Sequence, residues 1–445
     1  MTVAGTTTRT AADVLGPLLR RALGGELPFQ LRFWDGSITG PEQVPLTLVI
    51  ARRRALRRLL WAPDEIGLAR AYVTGDLYVE GDLFAALATV LELIRPDDIV
   101  GRRPGVRTLA ALVAAAVRLR VIGLPPRPPK EEIRLRGHRH TRRRDAAAIA
   151  YHYDVGNEFY RLVLGESMTY SCAYWQEPDF DVTEPADLNA AQLAKCDLVA
   201  RKLGLAAGMR VLDIGCGWGT FALHAARTYG VRVVGVTLST AQAEFARRRM
   251  AEEGVADLVE IRVQDYREVT DGPFDAIASI GMAEHVGSAH LAGYAAHLFA
   301  LLRPEGRLLN HAISLRPDDP QQEPESSSFI DRYVFPDGEL VPIASMIGTL
   351  EDAGFEVRDL QSLREHYALT LRAWAGNLDR HWDAGVAAST PVRARVWQLY
   401  MTASAMSFEA NDIGVNQVLA VRPGPRGHSG LPLTRAQLMG RAGQA

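Results

Sequence analysis

Five short β-branched runs, Arg210–Ile214, Val231–Thr237, Val259–Val263, Phe274–Ile280 and Arg307–Ile313, alternate with amphipathic segments. Alternation of this kind implies a doubly wound α/β sheet, because a parallel strand needs both faces covered, and it puts ligands at the carboxyl ends of the strands. Gly354–Leu360 and Asn416–Arg422 complete seven strands. The chain has 445 residues, enough for two or three domains at roughly 150 residues each. Residues 145–422 read as the α/β domain and 1–121 as a smaller, mainly helical N-terminal domain. Residues 122–144 read as a Pro/Arg-rich linker and 423–445 as a loose tail. Within the N-terminal domain, Gln30–Ile38 carries Asp35-Gly36 at a hairpin-like bend, and Pro45–Ile50 is an extended apolar run.

The net charge of −2 hides a polarity. Residues 1–144 hold 24 basic and 14 acidic residues, or +10, which leaves 26 basic and 38 acidic, or −12, for the rest. A basic third faces an anionic partner, a phospholipid surface or a nucleic acid, or else packs on the acidic remainder. Arg52, Arg53, Arg54, Arg57 and Arg58 lie beside leucines and Trp61, as in an interfacial amphipathic helix or a solvated helix face, and Arg136–Arg144 offers a second basic patch. Cys172, Cys196 and Cys216 show no CxxC spacing. That spacing points to a reducing cytoplasm with no structural zinc, and no metal is expected. The apolar stretch Leu109–Val117 ends at Arg118, about half a bilayer span, so the chain is expected to lie on a membrane rather than cross one.

Asp213 ends the first run, and Gly215, Gly217 and Gly219 follow before a helical segment. Glycines allow a tight turn with close backbone approach to a ligand, but here there is no Walker lysine and no third glycine at the dinucleotide position. A carboxylate before the loop holds an ammonium and repels a phosphate. The pattern therefore favours S-adenosylmethionine (SAM) over NAD or ATP, and the fold becomes a Rossmann-like class I SAM methyltransferase. Thr237 and Gln242 follow the second strand as neutral groups for the ribose. Asp265 and Tyr266 end the third, suited to the adenine amino group and ring.

Seven stretches then carry a resemblance: 151–160 (YHYDVGNEFY), 168–175 (MTYSCAYW), 212–219 (LDIGCGWG), 279–287 (SIGMAEHVG), 308–313 (LLNHAI), 331–340 (DRYVFPDGEL) and 365–371 (EHYALTL). They are similar to the successive signatures of the cyclopropane-fatty-acyl-phospholipid synthases. The resemblance implies methyl transfer from SAM to a cis double bond in a phospholipid acyl chain, with a bicarbonate ion in the site. It implies that Glu284, His311 and Tyr367 bind that ion through side chains, and Cys172 and Ile313 through backbone amides. It assigns Tyr170, Ser171, Gly215, Gly217, Thr237, Leu238, Gln242, Asp265 and Tyr266 to SAM. An alkene is a poor nucleophile, so the methyl must be held in line and the resulting cation kept dry.

Ring closure of that cation gives a cyclopropane, whereas a hydride shift before deprotonation leaves an exocyclic methylene. The C-terminal third most resembles the actinobacterial branch that makes 10-methylene-stearoyl chains on the way to tuberculostearic acid, which implies a reductase acting next. Cyclopropane synthesis is the alternative. A nucleic-acid methyltransferase is a remote one, because the chain has no basic stripe with interleaved aromatics and no Asn/Asp-Pro-Pro-Tyr-like loop; no nucleic-acid partner is expected. The resemblance also implies a homo-oligomer at the inner face of the membrane.

Overall fold

A computed structural model describes residues 9–42, 44–93, 106–133, 141, 144, 145, 148, 151, 155–176, 181–316 and 328–440. The chain divides into two compact units. The first comprises Met1–Ile133, Ser327–Tyr333 and Thr390–Ala403, and the second the remainder.

The first unit is built on a four-stranded sheet, β1 (Gln30–Phe33), β2 (Ile38–Thr39), β3 (Thr47–Ile50) and β4 (Leu77–Glu80), in the order β2-β1-β3-β4. β1 and β2 form a hairpin at Asp35-Gly36. The positive φ of Gly36, 79°, suits glycine. The Asp35 carboxylate caps the helix Ala11–Leu23 by accepting from the Ala11 amide at 2.7 Å. Leu31, Phe33, Leu46 and Ile50 form the core with Ala71, Ala116, Leu119 and Val121.

Two expectations change here. Three arginines of helix Arg53–Trp61 are tied to the protein: the buried Arg58 and the exposed Arg54 donate to the fully buried Asp76 at 3.2 and 2.7 Å, and Arg57 donates to the Val121 carbonyl at 3.0 Å, while Arg52 and Arg53 stay exposed. A buried carboxylate on β4's approach attracts these cations more strongly than solvent holds them, so this helix does not offer five free charges. Residues 122–133 are also not a free linker. Trp61 Nε1 donates to Gly123 O, Arg58 to Arg127 O, and Glu132 is buried against Arg70, Arg332 and Tyr333. The Arg136–Arg144 patch lies largely outside the described residues, and Arg144 itself pairs with Asp337.

In the second unit the seven expected strands are β5 (Arg210–Ile214), β6 (Arg232–Thr237), β7 (Val259–Val263), β8 (Phe274–Ile280), β9 (Leu302–Leu315), β11 (Glu356–Ser362) and β12 (Ile413–Val421). Their order is β11-β12-β9-β8-β5-β6-β7, and the two-residue β10 (Val341–Pro342) pairs with β9. β9-β8-β5-β6-β7 run parallel, whereas β12 is antiparallel to β9 and β11. Alternate residues serve opposite faces: Val211 and Val233 enter one core cluster, Leu212 and Val234 the other. From β5 the chain proceeds through β6 to β7 and returns to β8 on the other side. That reversal is the topological switch point where such sheets bind ligands. The C-terminal residues are docked rather than loose. Leu431 and Leu438 pack on the core, Arg307 holds Gly430 O at 2.9 Å and Arg435 pairs with Asp359 at 3.0 Å.

Candidate active site

At the switch point β5 ends in Asp213, and the loop Gly215–Gly219 leads into helix Thr220–Tyr229. The amides of Gly215 and Cys216 both donate to the Val236 carbonyl at 3.0 Å, which ties the loop to β6. At Gly217, φ is 54° and the space a Cβ would take is open, so the backbone presents itself to a ligand there. The loop is one wall of a cleft that opens to solvent. Tyr170, Ser171, Asp213, Gly215, Gly217, Thr237, Leu238, Gln242, Asp265 and Tyr266 all line it. Ten residues taken from four separate stretches of sequence therefore meet in one place.

The cleft's chemistry fits SAM. Asp213 is buried and its Oδ2 has no hydrogen-bond partner among the described residues, which leaves it open to an ammonium group. Burial pushes the Asp213 carboxyl up to about 7, and nearby Lys195 opposes that rise. Lys195, itself buried, also lines the cleft. Thr237 Oγ1 donates to Gln242 Oε1 at 2.9 Å, so the Gln242 amide nitrogen keeps its donors for a ligand. Asp265 already accepts from Arg267, at 2.8 Å from Nε and 2.6 Å from Nη2, and Arg267 also reaches Asp145. The adenine-side carboxylate is thus neutralised and fixed.

Sequence reasoning missed Lys195 and Arg267. Lys195 sits seven residues before Lys202 on helix Pro185–Leu203 and looked like an ordinary helix cation. The proximity of Arg267 to Asp265 and Tyr266 was a signal that could have been read.

Glu284, His311, Ile313, Cys172 and Tyr367 do not line this cleft but adjoin it. Glu284 follows the cleft residue Met282, and its Oε1 accepts from the Ile313 amide at 2.8 Å. Ile313's amide is therefore engaged by Glu284, not directed at an open site, a change from the role the resemblance implied. The other oxygen, Oε2, is buried with no partner among the described residues. Burial raises the Glu284 carboxyl to about 7, against the lowering by the Ile313 amide. The cleft residue Gly281 donates its amide to the His311 carbonyl at 2.8 Å. His311 is buried with neither ring nitrogen bonded among the described residues, and its cross-strand neighbour Gln417 is equally buried with its amide atoms unbonded. Burial first, then Lys195 and Lys202, pull His311 down to about 3, so its imidazole is neutral.

Cys172 follows Ser171, and burial pushes its thiol up; the thiol donates to backbone carbonyls and is not a thiolate. Tyr367 is buried with its ring 4.7 Å from that of Phe408. The Leu363 carbonyl accepts from both the Tyr367 amide and the Cys172 thiol, which links the two. Unpaired buried oxygen and nitrogen atoms on Glu284 and His311 form a polar set able to hold a small oxyanion such as bicarbonate.

Tyr160 and Tyr170 pack in a cluster with Trp218, Phe335 and Trp374, giving an aromatic wall. Fold, glycine cleft and open carboxylate together define a SAM-dependent methyltransferase. Residues 140–418 match the family described as mycolic acid cyclopropane synthetase, and the chain belongs to that family of lipid methyltransferases.

A probable fatty acid methyltransferase of Mycobacterium tuberculosis is 42% identical over 423 residues, covering 92% of this chain and 94% of that protein. The tuberculostearic acid methyltransferase of the same organism is 33% identical and covers 93% of this chain and 92% of its own length. The cyclopropane-fatty-acyl-phospholipid synthase of Escherichia coli is 38% identical, over 61% of this chain and 66% of its own. Among solved structures, the Mycobacterium tuberculosis cyclopropane synthase MmaA2 superposes with a TM-score of 0.57 at 33% identity, covering 63% of this chain and 99% of that one.

Proposed function

We propose that the chain methylates the cis double bond of an oleoyl-type acyl chain in a membrane phospholipid and leaves a 10-methylene-stearoyl chain. The observation that carries this reading is the meeting of ten residues on one cleft beside Glu284 and His311, whose buried polar atoms lack protein partners. When bound, SAM supplies an electrophilic methyl group and bicarbonate a base. Asp213 holds the donor's ammonium, Gln242 its ribose, and Asp265 with Tyr266 its adenine. The alkene π pair forms one new C–C bond to that methyl as the methyl–sulfonium bond breaks and S-adenosylhomocysteine leaves, and a cation is left on the adjacent carbon. Tyr170 and Trp218, which line the cleft with Trp374 and Tyr160 packed against them, keep water from that cation. Hydride migration followed by loss of a proton from the added methyl gives the methylene. Glu284 and His311 would hold the bicarbonate ion, which would supply the base for that proton.

The methylene branch is supported by the extent of likeness, since the tuberculostearic acid methyltransferase matches nearly the whole chain and the Escherichia coli cyclopropane synthase about three fifths of it. A reductase acting on the exocyclic methylene is then the next step, and the enzyme works at the inner face of the membrane. Incubation with oleoyl phospholipid and SAM, followed by gas chromatography and proton NMR of the fatty acid esters, tests the reading. Exocyclic methylene protons are expected; cyclopropane ring protons would replace this product with the ring, and absence of any C19 product would overturn lipid methylation altogether.

A further inference from the structure

The first unit carries an apolar surface that no contact among the described residues covers. Among the described side chains of helix Val106–Arg118, the small Ala115 and Ala116 are buried, whereas the larger Leu112, Val113 and Val117 face solvent. A helix resting on a water-facing surface puts its large aliphatic residues inward and small or polar ones outward, so this arrangement disfavours plain solvation. The surface continues into the next residues. Val121 is buried, but Ile122 is 58% and Leu124 85% exposed. Trp61 is 59% exposed and reaches the same place, its Nε1 donating to the Gly123 carbonyl at 2.9 Å, while Val117's carbonyl accepts the Arg120 amide at 3.0 Å. Contiguous exposed aliphatic groups with a tryptophan anchored at their edge mark a contact surface.

Charge selects the partner. Between Asp98 and Glu131 the sequence contains no acidic residue, and Arg118, Arg120, Arg127 and Lys130 are all exposed around the apolar groups. A second copy of the chain would present the same cations to these ones and be repelled. An anionic bilayer satisfies both parts at once, with aliphatic side chains and Trp61 entering the acyl boundary and the cations lying among headgroup phosphates. We infer that Leu112, Val113, Val117, Ile122, Leu124 and Trp61, ringed by Arg118, Arg120 and Arg127, form the surface by which the enzyme docks on anionic phospholipid membrane. This rests on the reading of the chain as an enzyme of membrane lipid, and it moves the docking surface from the arginines of helix Arg53–Trp61, three of which are bonded within the first unit, to the segment 112–127.

The full chain is to be floated with phosphatidylglycerol vesicles and with phosphatidylcholine vesicles, beside the variants Ile122→Asp/Leu124→Asp and Val113→Ser/Val117→Ser. These side chains are exposed, and hydrogen-exchange protection of peptides covering 53–80 checks that the first unit still folds in the variants. The expected result is flotation with phosphatidylglycerol, weaker with phosphatidylcholine and weakened between about 50 mM and about 500 mM salt. The aspartate variant should bind about tenfold or more weakly. Flotation of the variants at wild-type affinity overturns the surface, as does wild-type protein that stays with neither vesicle. A change of oligomeric state in the variants with unchanged flotation also overturns it and makes the patch a contact between copies. Methyl transfer to detergent-dispersed oleoyl phospholipid is assayed in parallel. If transfer fails there while flotation persists, the docking surface is supported and it is the lipid-methylation reading that falls.

Discussion

At the scale of single residues the site is governed by two buried carboxyls, both raised to about 7, and one imidazole lowered to about 3. Raised carboxyls are protonated below about pH 7 and charge as pH rises through it, so turnover and donor binding should both fall on the acid side. His311 stays neutral throughout and contributes no limb of its own. The two carboxyls separate kinetically. Glu284→Gln should lower kcat about a hundredfold or more while leaving SAM affinity within about twofold, and the acid limb of kcat should vanish with it. Asp213→Asn should weaken SAM binding roughly tenfold to a hundredfold and abolish its pH dependence, as titration calorimetry from pH 6 to pH 8.5 would read. Lys195 opposes the rise at Asp213. Lys195→Met should therefore move the midpoint for SAM binding upward, a displacement that a merely structural role for this lysine would not produce.

At the scale of elements, much of the second unit was legible. A strand buried on both faces must be short and β-branched, and a backbone that approaches a ligand must be glycine, so β5 and the loop after it announce themselves. Pairing across the sheet was not legible, because the neighbour of His311 is Gln417, supplied by a strand about a hundred residues later. The engagement of Arg54, Arg57 and Arg58 on helix Arg53–Trp61 was also hidden. Amphipathic spacing shows that one face is cationic, but not that Asp76 lies buried beneath it with Arg54, Arg58 and Thr74 around its carboxylate. The same holds for segment 122–133, whose prolines read as a linker although its carbonyls and Glu132 are held by the first unit. Asp76 provides the check at this scale. Asp76→Ala leaves Arg58 buried without its counter-charge, which should cost about 3–5 kcal/mol. Hydrogen exchange in peptides covering 53–80 should accelerate strongly, while SAM affinity should remain.

At the scale of the molecule, the two units carry buried acids of opposite character, so pH acts on them with opposite sign. Burial alone would raise Glu132, but hydrogen bonds from Arg70 and Arg332 outweigh it and hold the carboxyl far below the usual carboxylate range. A depressed carboxyl stabilises its unit above its unfolded pKa, roughly 4.3, and that stability is lost as pH falls further toward the folded value. Asp213 and Glu284 do the reverse in the second unit. Their contribution is full below about pH 4, is lost as pH rises toward about 7, and is restored in part when SAM's ammonium neutralises Asp213. Without ligand, hydrogen-exchange protection around 210–215 and 280–285 should increase from pH 7.5 to pH 5.5 once corrected for intrinsic exchange, while protection at 65–80 stays flat. Between about pH 4.5 and pH 3 the first unit should open and the second should hold. Glu132→Gln should blunt the acid opening of the first unit, and Asp213→Asn with Glu284→Gln should flatten the neutral-range response of the second. SAM should reduce that response only where Asp213 is intact. A single common pH profile for both units would contradict the opposed carboxyls, since one shared dependence cannot arise from acids whose folded values lie on opposite sides of the unfolded one.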